Sequence, residues 1–332
     1  MYILIADPDK ESLRKVGEKL TLIGGITSIS GATDLTTAFN LVERHPPSVV
    51  ILEERLTKQA GFEMMEALLR CLSVRWLVYN SNGPQQSCQM APNMTLPGRF
   101  LDLDADLGAI LSKLKGNTDP SNKPISFAQS GLFQTHQKYR MGRLVLIGAS
   151  TGGIDALLQV LGSFPMDCPP TLVVQHTGTS FSAGLARMLN QRVEPIVREA
   201  INGEVPKQGT VLIAPTIDKH LVLNLENGIK CQLVSKPTIG GHRPSVDALF
   251  QSAEPLGSLA IGVILTGMGK DGGAGLLKMK NSGALTIGQD KATSVVFGMP
   301  GYAAKIGAVT NTLPIQSIGQ SILRAQRQVR II

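Results

Sequence analysis

Residues 143–153 read Arg-Leu-Val-Leu-Ile-Gly-Ala-Ser-Thr-Gly-Gly, and this stretch decides the fold of the second half of the chain. An aliphatic run this short reads as a buried strand; the glycines that follow end it and open a helix from Ile154. The same pattern recurs downstream. Strand TLVVQH (171–176) precedes a helix from Phe181 to Gln191, strand SLAIGVILTG (258–267) precedes a helix after Gly272, and ALTIG (284–288) is followed by a last strand and helix. Such alternation predicts an α/β architecture with a doubly wound parallel sheet. Short strands are expected around Val211–Ala214 and a helix from Ser245, and Asn227-Gly228 marks a β-hairpin turn between HLVLN (220–224) and KCQLV (230–234).

Upstream, residues 1–115 show a second α/β pattern: strands at Tyr2–Ala6, Thr27–Ser30, Val49–Leu52, Trp76–Asn80 and Arg99–Leu101, a helix over Lys10–Leu22, and helices between most of these strands, the last near Ala105–Lys115. Between Gly116 and Gly142 the periodicity dissolves into Gly, Pro, Ser, Asn and Gln, which reads as a linker. The expected organisation is therefore a first domain over 1–115, a linker over 116–142 and a second domain over 143–332.

Of 332 residues, 43% are hydrophobic, 17% charged and 4% aromatic, which excludes disordered, collagenous and disulfide-dense classes. No apolar run is long enough to span a bilayer, and Asp7 and Asp9 interrupt the first apolar stretch, so neither membrane insertion nor a signal peptide is expected and the location is expected to be cytoplasmic. The four cysteines, Cys71, Cys88, Cys168 and Cys231, are too scattered for a zinc knuckle or redox pair and read as packing residues. Net charge is uneven: residues 1–115 carry −1 and residues 116–332 carry +8. With no Lys/Arg run longer than two and few aromatics for base stacking, an acidic protein surface suits the basic half better than nucleic acid.

Gly148-Ala-Ser150-Thr-Gly152 matches the G-x-S-x-G turn that lifts a nucleophilic serine above a sheet edge at the start of a helix. The turn alone fits a phosphate cradle equally well, although Ser150 breaks G-x-G-x-x-G spacing and no Walker lysine follows. His176 ends the next strand and brings an imidazole to the same edge, where it can accept and return a serine proton. Asp271, in the Gly-rich turn Thr266-Gly-Met-Gly-Lys-Asp-Gly-Gly, can orient that imidazole, or cap the helix that follows. The chain order Ser, His, Asp differs from the Ser, Asp, His of α/β-hydrolases. His242, Arg243 and His220 carry no independent catalytic argument and are left outside the catalytic set; His220 reads as structural.

The segments IGASTGG (147–153), QHTGTSFSAGLARMLN (175–190), IAP with KHL (213–221), HRPSVDALF (242–250), ILTGMGKDGGAGL (264–276) and VVFGMPGYA (295–303) resemble the catalytic domain of chemotaxis-type protein-glutamate methylesterases over 143 to about 320. The resemblance implies hydrolysis of γ-glutamyl methyl esters on cytoplasmic helices of methyl-accepting chemoreceptors, often with deamidation of receptor glutamines, through Ser150, His176 and Asp271. It also implies that Thr151 helps place the histidine, that backbone around Met268 contacts the oxyanion, that a chemosensory histidine kinase is a further partner, and that neither metal nor cofactor takes part.

The first domain resembles a response-regulator receiver, a flavodoxin-like fold, through ILIADPDKESLRK (3–15) and PPSVVILEERLTKQAGFE (46–63). That family binds a divalent ion through two adjacent acids and an aspartate that accepts phosphate. Here Pro8 replaces one acid, Glu53 stands at the acceptor position, and no Lys occurs between Lys58 and Lys113 to serve as the family's fifth-strand lysine. Ser81 keeps a hydroxyl where the family senses the phosphoryl group. A degenerate receiver kept for docking and shielding is the expectation; a glutamate mimicking the activated state, and a non-catalytic signalling adaptor, are the alternatives.

Overall fold

The apolar runs nearest the start of the chain pair as parallel strands: β1 (Tyr2–Ala6), β2 (Ser28–Ala32), β3 (Val49–Glu53) and β4 (Arg75–Tyr79), in the order β2-β1-β3-β4. The structure, a computed structural model, describes residues 1–22, 25–59, 61–72, 74–79, 142–177, 181–216 and 218–327. The predicted strand Arg99–Leu101, the helix near Ala105–Lys115, Ser81, and the linker as far as Met141 lie outside the described residues. Central β3 is buried at every position, as expected of a strand covered on both faces. Asp9 begins the helix Lys10–Thr21 by accepting the N–H groups of Glu11 and Ser12 at 2.8 and 3.1 Å, and Asp34 caps Leu35–Arg44 through Thr37 N–H in the same way. Ile3, Ile5, Val16, Leu20, Ile51 and Tyr79 fill one face of this sheet.

By contact density the chain divides into units Met1–Gln129 and Ser130–Ile332. In the second unit, β5 (Leu144–Ala149), β6 (Thr171–Gln175), β7 (Ile196–Glu199), β8 (Thr210–Ile213), β11 (Ala260–Ile264), β12 (Leu285–Gln289) and β13 (Asn311–Leu313) form a seven-stranded sheet, while β9 (His220–Asn224) and β10 (Lys230–Val234) pair as the antiparallel hairpin. All strands of the large sheet are parallel, in the order β13-β12-β11-β5-β6-β8-β7. Progress across the sheet reverses at β5, which is flanked by β6 on one side and β11 on the other, and such a switch point leaves a crevice at the carboxyl ends of the strands.

Three elements escaped the sequence pattern: β7, the helix Met299–Lys305, and a 3₁₀ segment over Glu254–Leu259 that takes the first two residues of the run predicted as a strand from Ser258. Cys168 and Cys231 are buried, and burial pushes both thiols up to about 12, which makes them packing residues rather than nucleophiles. Among the described residues no helix is long and apolar enough to cross a membrane.

Candidate active site

Ser150 and His176 are the first residues past β5 and β6, and the register Ala149↔Gln175 sets them side by side at the sheet's carboxyl edge. The backbone continues the ladder past the strands: His176 N–H donates to Ala149 O at 3.0 Å, and Ser150 N–H to Thr266 O at 3.0 Å on the neighbouring β11 side. The turn after Ser150 depends on two glycines. Gly152 has φ +74°, and a Cβ there would lie 2.6 Å from Val295; a Cβ on Gly267 would lie 2.7 Å from that of Ser150.

Asp271 comes to the ring of His176 from the Gly-rich turn beyond β11. Its Oδ2 lies 2.9 Å from His176 Nε2, with both side chains buried, so Nε2 carries the proton that Asp271 accepts. The other nitrogen, Nδ1, is buried and has no hydrogen-bond partner. It is the ring nitrogen whose lone pair is open to accept a proton. No hydrogen bond yet joins Ser150 to the ring, nor does the Thr151 hydroxyl bond it; what Thr151 contributes is its carbonyl, which accepts from Thr266 Oγ1 at 2.9 Å.

Asp271 is held by four further donors: Ser245 Oγ (2.8 Å), Val246 N–H (2.8 Å), Asp247 N–H (3.0 Å) and Gly272 N–H (3.0 Å). It sits against the start of the helix Val246–Ser252, rather than serving as N-cap of its own following helix, where Gly272 takes that position. Burial alone would raise the Asp271 carboxyl, but hydrogen bonds from His176 and from the Asp247 and Val246 N–H groups hold it below its ordinary value. The acid therefore stays ionised to support an imidazolium.

Two residues essential to this geometry were not selected from the sequence. His242 stacks flat on His176, ring centroids 3.9 Å apart and planes 1° from parallel, and so fixes the ring's plane. Burial first, then proximity to His176, hold its imidazole below the ordinary value, while Asp271 acts the other way. Gln175, 2% exposed, donates its amide to Ser150 O at 2.9 Å and His176 O at 3.0 Å, tying the two strand ends together. His220, by contrast, is structural as expected: buried, with Nδ1 accepting Ser245 N–H and Nε2 bonded to Pro237 O.

Met268 is 70% exposed at the rim beside Ser150, where Gly267 gives its own N–H to Val296 O. Among the described residues, the N–H groups of Met268 and Thr151 meet no acceptor. In the first unit, Glu53 ends β3 as a buried residue, and buried Asp7 follows the adjacent strand β1.

A parallel sheet with a serine turn and a His–Asp pair at its switch point can carry acyl transfer through a hydroxyl, the chemistry of the serine hydrolase class. The chain belongs to the CheB methylesterase family, whose model matches residues 145–322. It is 34% identical to the protein-glutamate methylesterase/protein-glutamine glutaminase of Agrobacterium fabrum, over 97% of this chain and 91% of that one. It is 35% identical to protein-glutamate methylesterase/protein-glutamine glutaminase 1 of Caulobacter vibrioides, over 97% and 96%. The crystal structure of the Thermotoga maritima CheB methylesterase catalytic domain superposes with a TM-score of 0.54 at 40% identity, covering 55% of this chain and 98% of that one.

Proposed function

We propose that this enzyme hydrolyses glutamate γ-methyl esters, and deamidates glutamines, on the cytoplasmic helices of chemoreceptors by a Ser150–His176–Asp271 mechanism. The observation that carries the reading is the His176–Asp271 hydrogen bond, with the opposite ring nitrogen unpartnered beside the serine turn. Ser150 Oγ attacks the γ-carbonyl while His176 Nδ1 takes its proton and Nε2–H stays on Asp271. The Met268 and Thr151 N–H groups receive the oxyanion. Methanol, or ammonia from an amide, departs with the proton from Nδ1; water then repeats the cycle on the acyl-enzyme and releases glutamate. Stacked His242 holds the ring, and Gln175 holds the two strand ends. Methanol release from methylated receptor membranes, wild type against Ser150→Ala, tests the reading.

The charge division gives a second test. If the +8 on residues 116–332 steers the enzyme to acidic receptor helices, kcat/KM on receptor membranes should fall severalfold as salt is raised through about 0.15 M, while a small neutral ester is cleaved at a nearly constant rate. Parallel salt curves would reject steering and leave the catalytic assignment standing.

In this reading residues 1–115 are a receiver-like domain, 116–142 a linker and 143–332 the catalytic domain, working in the cytoplasm beside receptors and their histidine kinase. The β2-β1-β3-β4 order and the position of Glu53 at the end of β3 support the receiver likeness. With Pro8 in place of an acid and Glu53 in place of an aspartate, this domain docks and shields instead of accepting phosphate. Acetyl phosphate with Mg²⁺ should then leave esterase activity unchanged; severalfold activation that disappears in Glu53→Gln would show the switch to be intact.

A further inference from the structure

We propose that Arg55 is a built-in counter-ion that fills the place where a receiver-like fold would hold a divalent cation, so that the first unit's acidic pocket binds no Mg²⁺ or Mn²⁺. Asp7 directly follows β1 and Glu53 ends the adjacent parallel strand β3, and both are essentially fully buried. Two carboxylates so placed require positive charge or hydrogen-bond donors. Arg55, two residues past Glu53, supplies both. Its backbone N–H donates to Glu53 Oε2 at 2.8 Å and its Nε to the same oxygen at 2.9 Å, while Nη2 lies 3.5 Å from Asp7 Oδ1. The guanidinium thus bridges the two acids from the solvent side, with half of its side chain exposed.

The remaining Asp7 lone pairs are also engaged. Asp9 N–H donates to Oδ1 at 2.8 Å, and the buried Tyr79 phenol donates to Oδ2. Burial, then the bond to Asp7, raises the Tyr79 phenol well above its ordinary value and keeps that donor protonated. Asp9, the other acid nearby, is turned away to cap the helix Lys10–Thr21. A hard divalent ion demands several oxygens at about 2.1 Å in near-octahedral array, whereas here the bridging position is occupied by a tethered cation that would repel it. Among the described residues no three His, Cys, Asp or Glu groups gather as a metal site. Glu53 Oε2, moreover, accepts two hydrogen bonds from Arg55 and is turned into its own chain instead of toward an incoming phosphoryl group.

This inference is independent of the esterase chemistry and is read without it. Trp76 on β4 is the chain's single tryptophan, so its fluorescence follows thermal unfolding of the first unit within the intact protein. In wild type, Mg²⁺ or Mn²⁺ at about 10 mM should leave the midpoint unchanged, since an ion that does not bind the native state cannot stabilise it. Arg55→Met should lower the midpoint by several degrees in ion-free buffer and regain it with either ion, and Asp7→Asn added to Arg55→Met should abolish that recovery. If Arg55→Met does not fold in ion-free buffer, refolding with and without Mn²⁺ reads the same property: recovery with the ion supports the proposal. Stabilisation of wild type by either ion, or Arg55→Met protein indifferent to both, overturns it.

Discussion

Ser150→Ala is expected to abolish methanol release from methylated receptor membranes, by about 10⁴-fold or more, in a protein that remains folded. The fold survives because alanine keeps the Cβ that packs over Gly267, and because the Ser150 backbone bonds, N–H to Thr266 O and O from the Gln175 amide, need no hydroxyl. What disappears is the hydroxyl proposed to form the acyl-enzyme. His176→Ala should cost a similar factor by removing the base, and the double variant should lose little more than either single one, because nucleophile and base act as a unit. Substantial esterase activity in folded Ser150→Ala protein would place the nucleophile elsewhere.

Asp271→Asn should come second, with a loss of about 10⁴-fold, through the wrong tautomer rather than through lost charge alone. The carboxylate accepts Nε2–H and leaves the Nδ1 lone pair free for the serine proton. An asparagine amide that turned its NH₂ toward Nε2 would favour the tautomer with the proton on Nδ1, the nitrogen that must be empty. Activity within tenfold of wild type would remove Asp271 from the mechanism. The same residue predicts an acid limb of stability. Its folded pKa is lowered, so its contribution is fully present above the unfolded carboxyl value of about 3.9 and is lost as pH falls through the folded value. Urea midpoints of wild type should therefore drop faster than those of Asp271→Asn below about pH 4.

The strands that carry the site were legible because they are covered on both faces: β5 and β6 are buried at every residue and have unbroken aliphatic cores, Leu144–Ile147 and Leu172–Val174. β7 was not, because it is a four-residue edge strand with Ile196 60% exposed, and it carries Arg198 and Glu199 just after Glu194-Pro195. The helix Met299–Lys305 opens with Met-Pro-Gly, which reads as a turn until the proline is seen in the first turn, where its missing N–H costs nothing. Ser150 and Asp271 could be singled out because they sit in Gly-rich turns after strands, and His176 because it ends the strand beside the serine turn. His242 and Gln175 could not: one acts through a stack with a ring 66 positions away, the other through two carbonyls that only strand pairing brings within its reach. Arg55 likewise looks like an ordinary surface arginine until β1 and β3 lie side by side.

That Ser150 and His176 are register neighbours on adjacent parallel strands means that the sheet acts as a ruler for the reaction. Interstrand spacing is about 4.8 Å wherever a ladder forms, so the offset between the proposed nucleophile and base is set by the paired backbone just before them. The acid is set just as firmly, because the Gly-rich turn bearing Asp271 is pinned by Ser245 and by the N–H groups of Val246, Asp247 and Gly272, so ring, acid and serine turn share one frame.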